Sequence, residues 1–333
     1  MKRKFHWNNY VLGIIAIALV IFPFVSDSRT WTILLTQIFI FSILAMSYDI
    51  LLGYTGIVSF GHAMFFGMGA YTTAVMLKRI DPTMGTFILS IGVGMLLAAL
   101  VSFFIGLLTL RLKSHFFAML TLAVSGLFLV LAEKWRTVTQ GNDGFTFKAP
   151  EFFKDRVMFY LVVLVILVLV YILLRRFVNS PFGRVLVAVR ENEQRTRSLG
   201  FNPLHYKVIA SVVAGVIASL AGSLYAVSLR FVNTSVLTMD ITLDALLMTI
   251  IGGVGTLIGP IVGAGIIELT QHYLSGLAKE YPIFERWIIF FGIVYILAVI
   301  FFPKGVVGTI REKLWKRNSK KDGVKPVAKK EGL

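Results

Sequence analysis

The sequence predicts an all-α, polytopic membrane helix bundle of about ten membrane elements, glycine-broken helices among them, with one cytoplasmic docking helix. Three observations lead there. Hydrophobic residues make up 57% of the 333-residue chain and charged residues 15%, whereas soluble domains run near 45–50% apolar and about 25% charged. Apolar stretches, most of them free of Lys, Arg, Asp and Glu, recur along the chain, many near the roughly 20 residues needed to cross a hydrocarbon core of about 30 Å. The basic residues also sort by side. With the N-terminus inside, Lys2, Arg3, Lys4, Arg111, Lys113, the segment 175–207 and the tail 304–333 share one face, about two thirds of the 33 Lys and Arg, as the positive-inside rule requires. The net charge of +16 therefore records orientation in a lipid bilayer and not a surface for nucleic acid.

The elements follow in order. Stretch 11–25 comes after a basic start and lacks a small-x-small cleavage site, so it reads as a retained signal anchor. Stretches 31–52, 57–77, 84–110, 116–132, 157–174 and 208–229 read as spans. Stretch 245–267 contains Gly252, Gly253, Gly255, Gly259 and Pro260, and is either one broken span or two short ones joined by a glycine turn. Both termini are cytoplasmic only with an even number of crossings, which favours a pair there, spanning or re-entrant. Stretch 287–302 completes a membrane domain over 10–303, between a cytoplasmic N-terminus at 1–9 and a Lys-rich tail at 304–333. That tail is too polar to offset the entropy of ordering, and its assigned role is attraction to anionic lipid.

Residues 49–71 carry Gly53, Gly56, Gly61, Gly67 and Gly69. Such glycines serve either close helix packing or a break in a helix. Tyr54, Thr55, Ser59 and His62 favour a break beside a translocation path, because polar groups at membrane depth persist mainly where they line a cavity or find a partner. The second cluster, Gly252, Gly253 and Gly255, interrupts the eighth element as the first interrupts the third. Paired interruptions of that kind mark the central path of transporters built from internal repeats. Gly53, Tyr54, Thr55, Gly56, Ser59, Gly61, His62, Gly252, Gly253 and Gly255 are the candidate path residues.

Segment 175–207 is too polar to span. Ser180 suits an N-cap, Pro181 the first helical position, Gly200 a stop, and Pro203 blocks continuation. One helix is expected over 181–199, with Val185, Leu186, Val189 and Leu199 to one side and Arg190, Glu191, Glu193, Arg195 and Arg197 largely elsewhere. It reads either as a surface helix at the lipid headgroups or as a docking helix for a partner protein.

Enzyme chemistry is not evident. No cysteine is present, no phosphate-binding loop of the G-x-x-x-x-G-K-[ST] type and no G-x-S-x-G elbow, so any ATP hydrolysis belongs to another subunit. His6, His62, His115, His205 and His272 lack metal-ligand spacing, and neither a metal nor another cofactor is expected. Asp49, Glu133 and Glu268 are isolated in sequence; Glu268 with His272 reads as a structural hydrogen bond rather than a proton relay. A self-sufficient ion- or proton-coupled carrier of a small solute remains the rival to a subunit of a larger transporter.

Three stretches carry a family resemblance. L-L-G-Y-T-G-I-V-S-F-G-H-A-M-F-F-G-M-G-A-Y (51–71), S-P-F-G-R-V-L-V-A-V-R-E-N-E-Q-R-T-R-S-L-G-F-N-P-L-H-Y-K (180–207) and A-G-V-I-A-S-L-A-G-S-L-Y-A (214–226) with I-G-G-V-G-T-L-I-G-P-I-V-G-A (251–264) resemble, in that order, permease subunits of bacterial branched-chain amino acid ABC transporters of the LivM type. The resemblance covers roughly 30–305. It implies a second related permease, two cytoplasmic ATPase subunits, an extracytoplasmic substrate-binding protein and a place in the bacterial inner membrane. Related permeases also import urea or short amides. The resemblance makes Arg184, Arg190, Glu191, Glu193, Arg195, Leu199 and Gly200 candidates for ATPase coupling, through a loop that inserts a short helix into the ATPase. Relatives commonly place small residues after the acidic pair, where this chain has Arg195, Thr196 and Arg197. A binding protein would dock on the outer loop 134–156, with its Gly141-Asn142-Asp143-Gly144.

Overall fold

The computed structural model describes residues 18–25, 28–109, 114–280 and 305–309, with isolated helical positions between 289 and 300. Its helices are α1 (Arg29–Asp49), α2 (His62–Arg79), α3 (Met84–Thr109), α4 (Ser114–Lys134), α5 (Arg156–Asn179), α6 (Pro181–Glu191), α7 (Glu193–Ser198), α8 (Pro203–Leu229), α9 (Met239–Gly252) and α10 (Ile258–Glu280). The expectations for the last span and the basic tail fall mostly outside the described residues; of the anchor stretch 11–25, residues 18–25 are described and are helical.

Burial separates the central helices from the peripheral ones. Every residue of α1 from Ile38 to Asp49 is buried, and α1 packs against α5, α8, α9 and α10. In contrast, α3 and α4 turn Ile88, Leu89, Leu96, Phe104, Leu108, Met119 and Leu127 outward. A helix apolar on its outer face is stable in hydrocarbon, where its backbone groups are satisfied internally. Among the described residues, five helices are long and apolar enough to cross a membrane.

Backbone contact at glycine sets the tightest seam. A Cβ on Gly69 of α2 would lie 1.8 Å from the Ser219 carbonyl oxygen, and one on Gly222 of α8 would lie 1.8 Å from that of Phe66. The Ser223 hydroxyl donates to the Gly69 carbonyl at 3.2 Å across the same seam. Ala214, Gly215, Ala218, Ala221 and Gly222 are all buried on α8, so the 214–226 motif is a small-residue packing face, on which helices associate without a hydrophobic driving force.

One end of the bundle is stapled by a two-residue antiparallel pair, β1 (Phe145–Thr146) with β2 (Phe231–Val232). Thr234 donates to the Asn142 side chain at 2.7 Å, and Arg230 to the Phe153 carbonyl at 2.9 Å. The segment expected as an outer polar loop is thus folded onto the residues after α8. At this end also lie the start of α1 at Arg29, Arg156 of α5 beside it, and Arg79, which donates to the Thr137 carbonyl at 3.0 Å.

The first glycine-rich region breaks elsewhere than expected, whereas the second forms the favoured pair of helices joined by a glycine turn. The first break lies between elements, not inside the third span. α1 continues as a π-helix over Ile50–Thr55, Gly56 turns left-handed at φ 72°, and α2 starts only at His62. A π turn followed by a left-handed glycine needs a residue without a Cβ penalty. In the second region the chain makes two helices. α9 has 14 residues, about 21 Å at 1.5 Å per residue, which is shorter than a bilayer core. Residues 253–257 then turn the chain into α10. The approach is close because Gly252 faces the Gly259 carbonyl and Gly263 that of Met248, each with only 1.8 Å for a Cβ.

Candidate functional site

Opposite the stapled end, α6 packs on the π turn that follows α1, and α7 packs against α6 and α8. Ser180 caps α6 as its sequence predicts, accepting from the Gly183 N–H at 3.2 Å with Pro181 in the first turn. Gly183 permits the sharp exit from α5, since a Cβ there would meet the Val178 carbonyl at 2.1 Å. Leu186 and Val189 are buried beneath α6, and Phe182 packs between Phe177 and Tyr206, with ring centroids 5.2 and 4.8 Å away.

The single helix expected over 181–199 is two. Asn192 is extended and its side chain accepts from the Arg195 N–H at 2.9 Å, ending α6 and capping α7. The cap was legible as Asn192-Glu193-Gln194-Arg195, but the continuing polar pattern masked it. The break reorients the second helix. Leu199, grouped in sequence with the buried face, is instead 69% exposed, while Thr196 between the two arginines is buried. Arg184, Glu191, Arg195 and Gly200 are exposed; Gly200 ends the segment at φ 89°. Glu193 points inward to Lys207 of α8, 2.6 Å away, and so ties α7 to the bundle.

The structure brings four of the expected path residues together with one of the expected coupling residues. Arg190 of α6 donates to the Gly53 carbonyl, and its aliphatic stem lies against Gly56, where a Cβ would be 3.1 Å from its Cγ. Tyr54 donates to the Gly255 carbonyl at 3.1 Å. Gly255, at φ 76°, faces Gly53 so closely that a Cβ on Gly53 would be 2.6 Å from the Gly255 nitrogen. Two breaks about two hundred residues apart are therefore in van der Waals contact beneath α6.

Asp49 lies at this junction. It is fully buried, accepting from the Gly255 N–H at 2.7 Å and from the Leu257 N–H at 3.2 Å. Sequence reasoning left it as an isolated acid near a helix end; its partners lie in the other half of the chain, where no local window finds them.

The remaining path candidates lie elsewhere. The Thr55 hydroxyl is engaged with the Leu51 carbonyl in its own π turn, at 2.6 Å. Ser59, Gly61 and His62 lead into α2: Ser59 accepts from the Gly61 N–H at 3.3 Å, Gly61 abuts the Thr121 carbonyl of α4, and His62 Nε2 is 2.9 Å from the Ser47 hydroxyl. Because that hydroxyl donates to the Leu44 carbonyl at 2.6 Å, His62 Nε2 is the donor to it. Gly252 and Gly253 are packed into the α9–α10 turn, with Gly305 against them from the far side. The expected Glu268–His272 hydrogen bond does not form: Glu268 is buried, whereas His272 is exposed and stands beside Tyr273. Four residues along a helix turn a side chain by about 40°, which takes His272 off the buried face that holds Glu268.

Comparison with known proteins follows this geometry. A family model described as branched-chain amino acid transport system / permease component matches residues 31–299. The high-affinity branched-chain amino acid transport system permease protein LivM of Escherichia coli (strain K12) is 27% identical, the alignment covering 94% of this chain and 78% of that protein. LivM of Salmonella typhimurium is 25% identical over 92% of this chain and 76% of its own. The autoinducer 2 import system permease protein LsrC of Photorhabdus laumondii is 31% identical over 49% of each chain. No solved structure matches.

Proposed function

The chain belongs to the branched-chain amino acid transport permease family, and on that premise we propose that it is the membrane permease subunit of an ATP-driven importer of branched-chain amino acids. It works beside a second, related permease. Two cytoplasmic ATPase subunits drive it, and an extracytoplasmic binding protein delivers its substrate. It sits in the bacterial inner membrane with both termini cytoplasmic, the side on which α6, α7 and most of the basic residues fall.

One observation carries this reading: Arg190, on a helix pair that shows Arg184, Glu191 and Arg195 to the outside, hydrogen-bonds the first glycine turn and touches the second. In the mechanism, ATP binding closes the ATPase dimer and displaces α6 and α7. The displacement reaches α1 through Gly53 and the α9–α10 pair through Gly255, and rocks the bundle between outward and inward access. A ligand moves an equilibrium only by binding two states differently. Here ATP supplies that difference through the ATPases, so the path needs little affinity of its own and selectivity resides in the binding protein.

The test is joint replacement of Arg190, Glu191, Glu193 and Arg195 by Ala. The expected result is loss of ATPase copurification and of uptake; unchanged association with full uptake overturns the assignment. In proteoliposomes, the chain alone under an ion gradient should move nothing, and uptake there would establish the self-sufficient carrier. Because the relatives include an autoinducer 2 import permease, substrate class is read from the ligand profile of the associated binding protein, with leucine, isoleucine and valine expected.

A further inference from the structure

We propose that Asp49 is the positioning residue that makes the two glycine turns move as one body with α6, and that it thereby sets how much substrate moves per ATP hydrolysed. The proposal rests on the importer reading above and adds to it a residue that the sequence motifs do not single out.

The geometry supports a link rather than a simple helix end. Asp49 belongs to the last turn of α1, yet neither carboxylate oxygen is used within α1: one takes the Gly255 N–H at 2.7 Å and the other the Leu257 N–H at 3.2 Å. Those N–H groups converge because Gly253, Gly255 and Leu257 all have positive φ, at 126°, 76° and 56°. Successive amides in such a turn form a concave anion site. Leu257 is held in a left-handed backbone that disfavours a residue with a Cβ, and the carboxylate bond to its N–H offsets that. On the other side of the same turn Tyr54 donates to the Gly255 carbonyl at 3.1 Å, so residue 255 is held at both its N–H and its C=O from the α1 strand of the chain. Arg190 closes the assembly. It donates to the Gly53 carbonyl, one turn beyond Asp49, its Nη1 is 3.3 Å from the Cβ position of Gly255, and its charge acts on the Asp49 carboxylate.

A buried carboxylate is costly to leave without donors, and its bonds are stronger than neutral ones. Separation of the two turns would strand Asp49, and withdrawal of α6 would take away the charge of Arg190. The low-energy motion therefore carries α6, the tip of α1 and the α9–α10 turn together. Gly53 and Gly255 allow the contact, but glycine contact alone resists only compression. Asp49 supplies resistance to separation.

The test uses the complete complex with both permeases, the ATPases and the loaded binding protein in proteoliposomes, where uptake and ATP hydrolysis are measured on the same vesicles. Asp49→Asn keeps an acceptor for one N–H and presents an amide NH2 to the other. The expected result is a fall of about tenfold in substrate moved per ATP, the equivalent of losing one charge-assisted hydrogen bond from the moving assembly, while stimulated hydrolysis persists. Arg190→Ala should lower the same ratio, and the double variant should fall no further than the worse single one, because both changes cut one linkage. Arg190→Lys, which keeps the charge, should restore part of it. Ser102→Ala, which removes a buried Ser102–Ser211 hydrogen bond of 3.0 Å away from this junction, controls for a structural loss: it should lower the amount of complex and leave the ratio intact. An Asp49→Asn complex with the wild-type ratio, or one whose uptake and hydrolysis fall in equal proportion, overturns the role of Asp49 while the importer reading stands. A wild-type complex that fails to couple uptake to ATP overturns both.

Discussion

Among the described residues, some glycines face backbone, some face side chains and some face open space. Gly53→Ala would put a methyl 2.2 Å from an Asp49 carboxylate oxygen and 2.6 Å from the Gly255 nitrogen, and neither is the free end of a flexible side chain. Uptake should fall at least about tenfold, more than the usual effect of one methyl group in a core that can relax. Gly92→Ala, with no atom within 4 Å, should leave uptake within about twofold, as surface changes away from special features usually do. Uptake into cells, normalised to the amount of permease in the membrane, measures both. At this scale the sequence was partly legible. Gly53, Gly56 and Gly255 stood out by composition and Arg190 by charge; Gly53 meets Gly255, and Gly56 meets Arg190. Asp49 and Tyr54 each bond to residue 255, and neither partnership can be read from a window of neighbours.

At the scale of elements, caps were legible and junctions were not. Ser180-Pro181 and Gly200 mark the ends of the surface segment correctly because a cap is local chemistry. Asn192 is as good a cap, but it lies inside a run whose polar pattern continues past it. Asn192→Ala should cost about 1 kcal/mol of local stability and reduce ATPase association, measured by copurification; Asn192→Asp, which keeps the acceptor for the Arg195 N–H, should retain it. The α2–α8 seam makes a separate prediction. Gly222→Leu would force a side chain into the Phe66 carbonyl, 1.8 Å from the Cβ position, and should destabilise the solubilised protein by at least the roughly 1–3 kcal/mol typical of overpacking. Gly126→Leu on α4, which has open space, should not. Thermal unfolding in detergent separates them.

For the whole molecule, hydropathy and charge sorting gave the class because both are sums over many residues. Helix bounds agreed closely for α3 (Met84–Thr109), whereas α8 (Pro203–Leu229) begins ahead of its apolar stretch at 208 because its first turns carry His205 and Lys207. They failed at the glycine-rich regions, where a span, a half-length helix and a turn have the same composition. The 134–156 loop was likewise opaque: its two-residue pairing of Phe145–Thr146 with Phe231–Val232 is a tertiary contact. Orientation has a direct test, helped by the absence of cysteine from the chain. In intact cells a membrane-impermeant maleimide should label Thr146→Cys without permeabilisation and Leu199→Cys only after it. The two positions are exposed at opposite ends of the bundle, and the reverse pattern would invert the proposed topology.

The bond from Asp49 to Gly255 spans 206 residues, and that separation has a consequence for biogenesis. At about 5–20 residues per second, a ribosome that has delivered Asp49 takes roughly 10–40 s more to deliver its partner. Throughout that interval α1 rests in the bilayer with a carboxylate whose donors have not yet been synthesised. The nascent chain should therefore hold α1 near the insertion machinery, or leave Asp49 protonated, until α9 and α10 arrive. Chains truncated before Gly255 should be removed by membrane proteases faster than the same truncations carrying Asp49→Leu, which a pulse-chase experiment resolves.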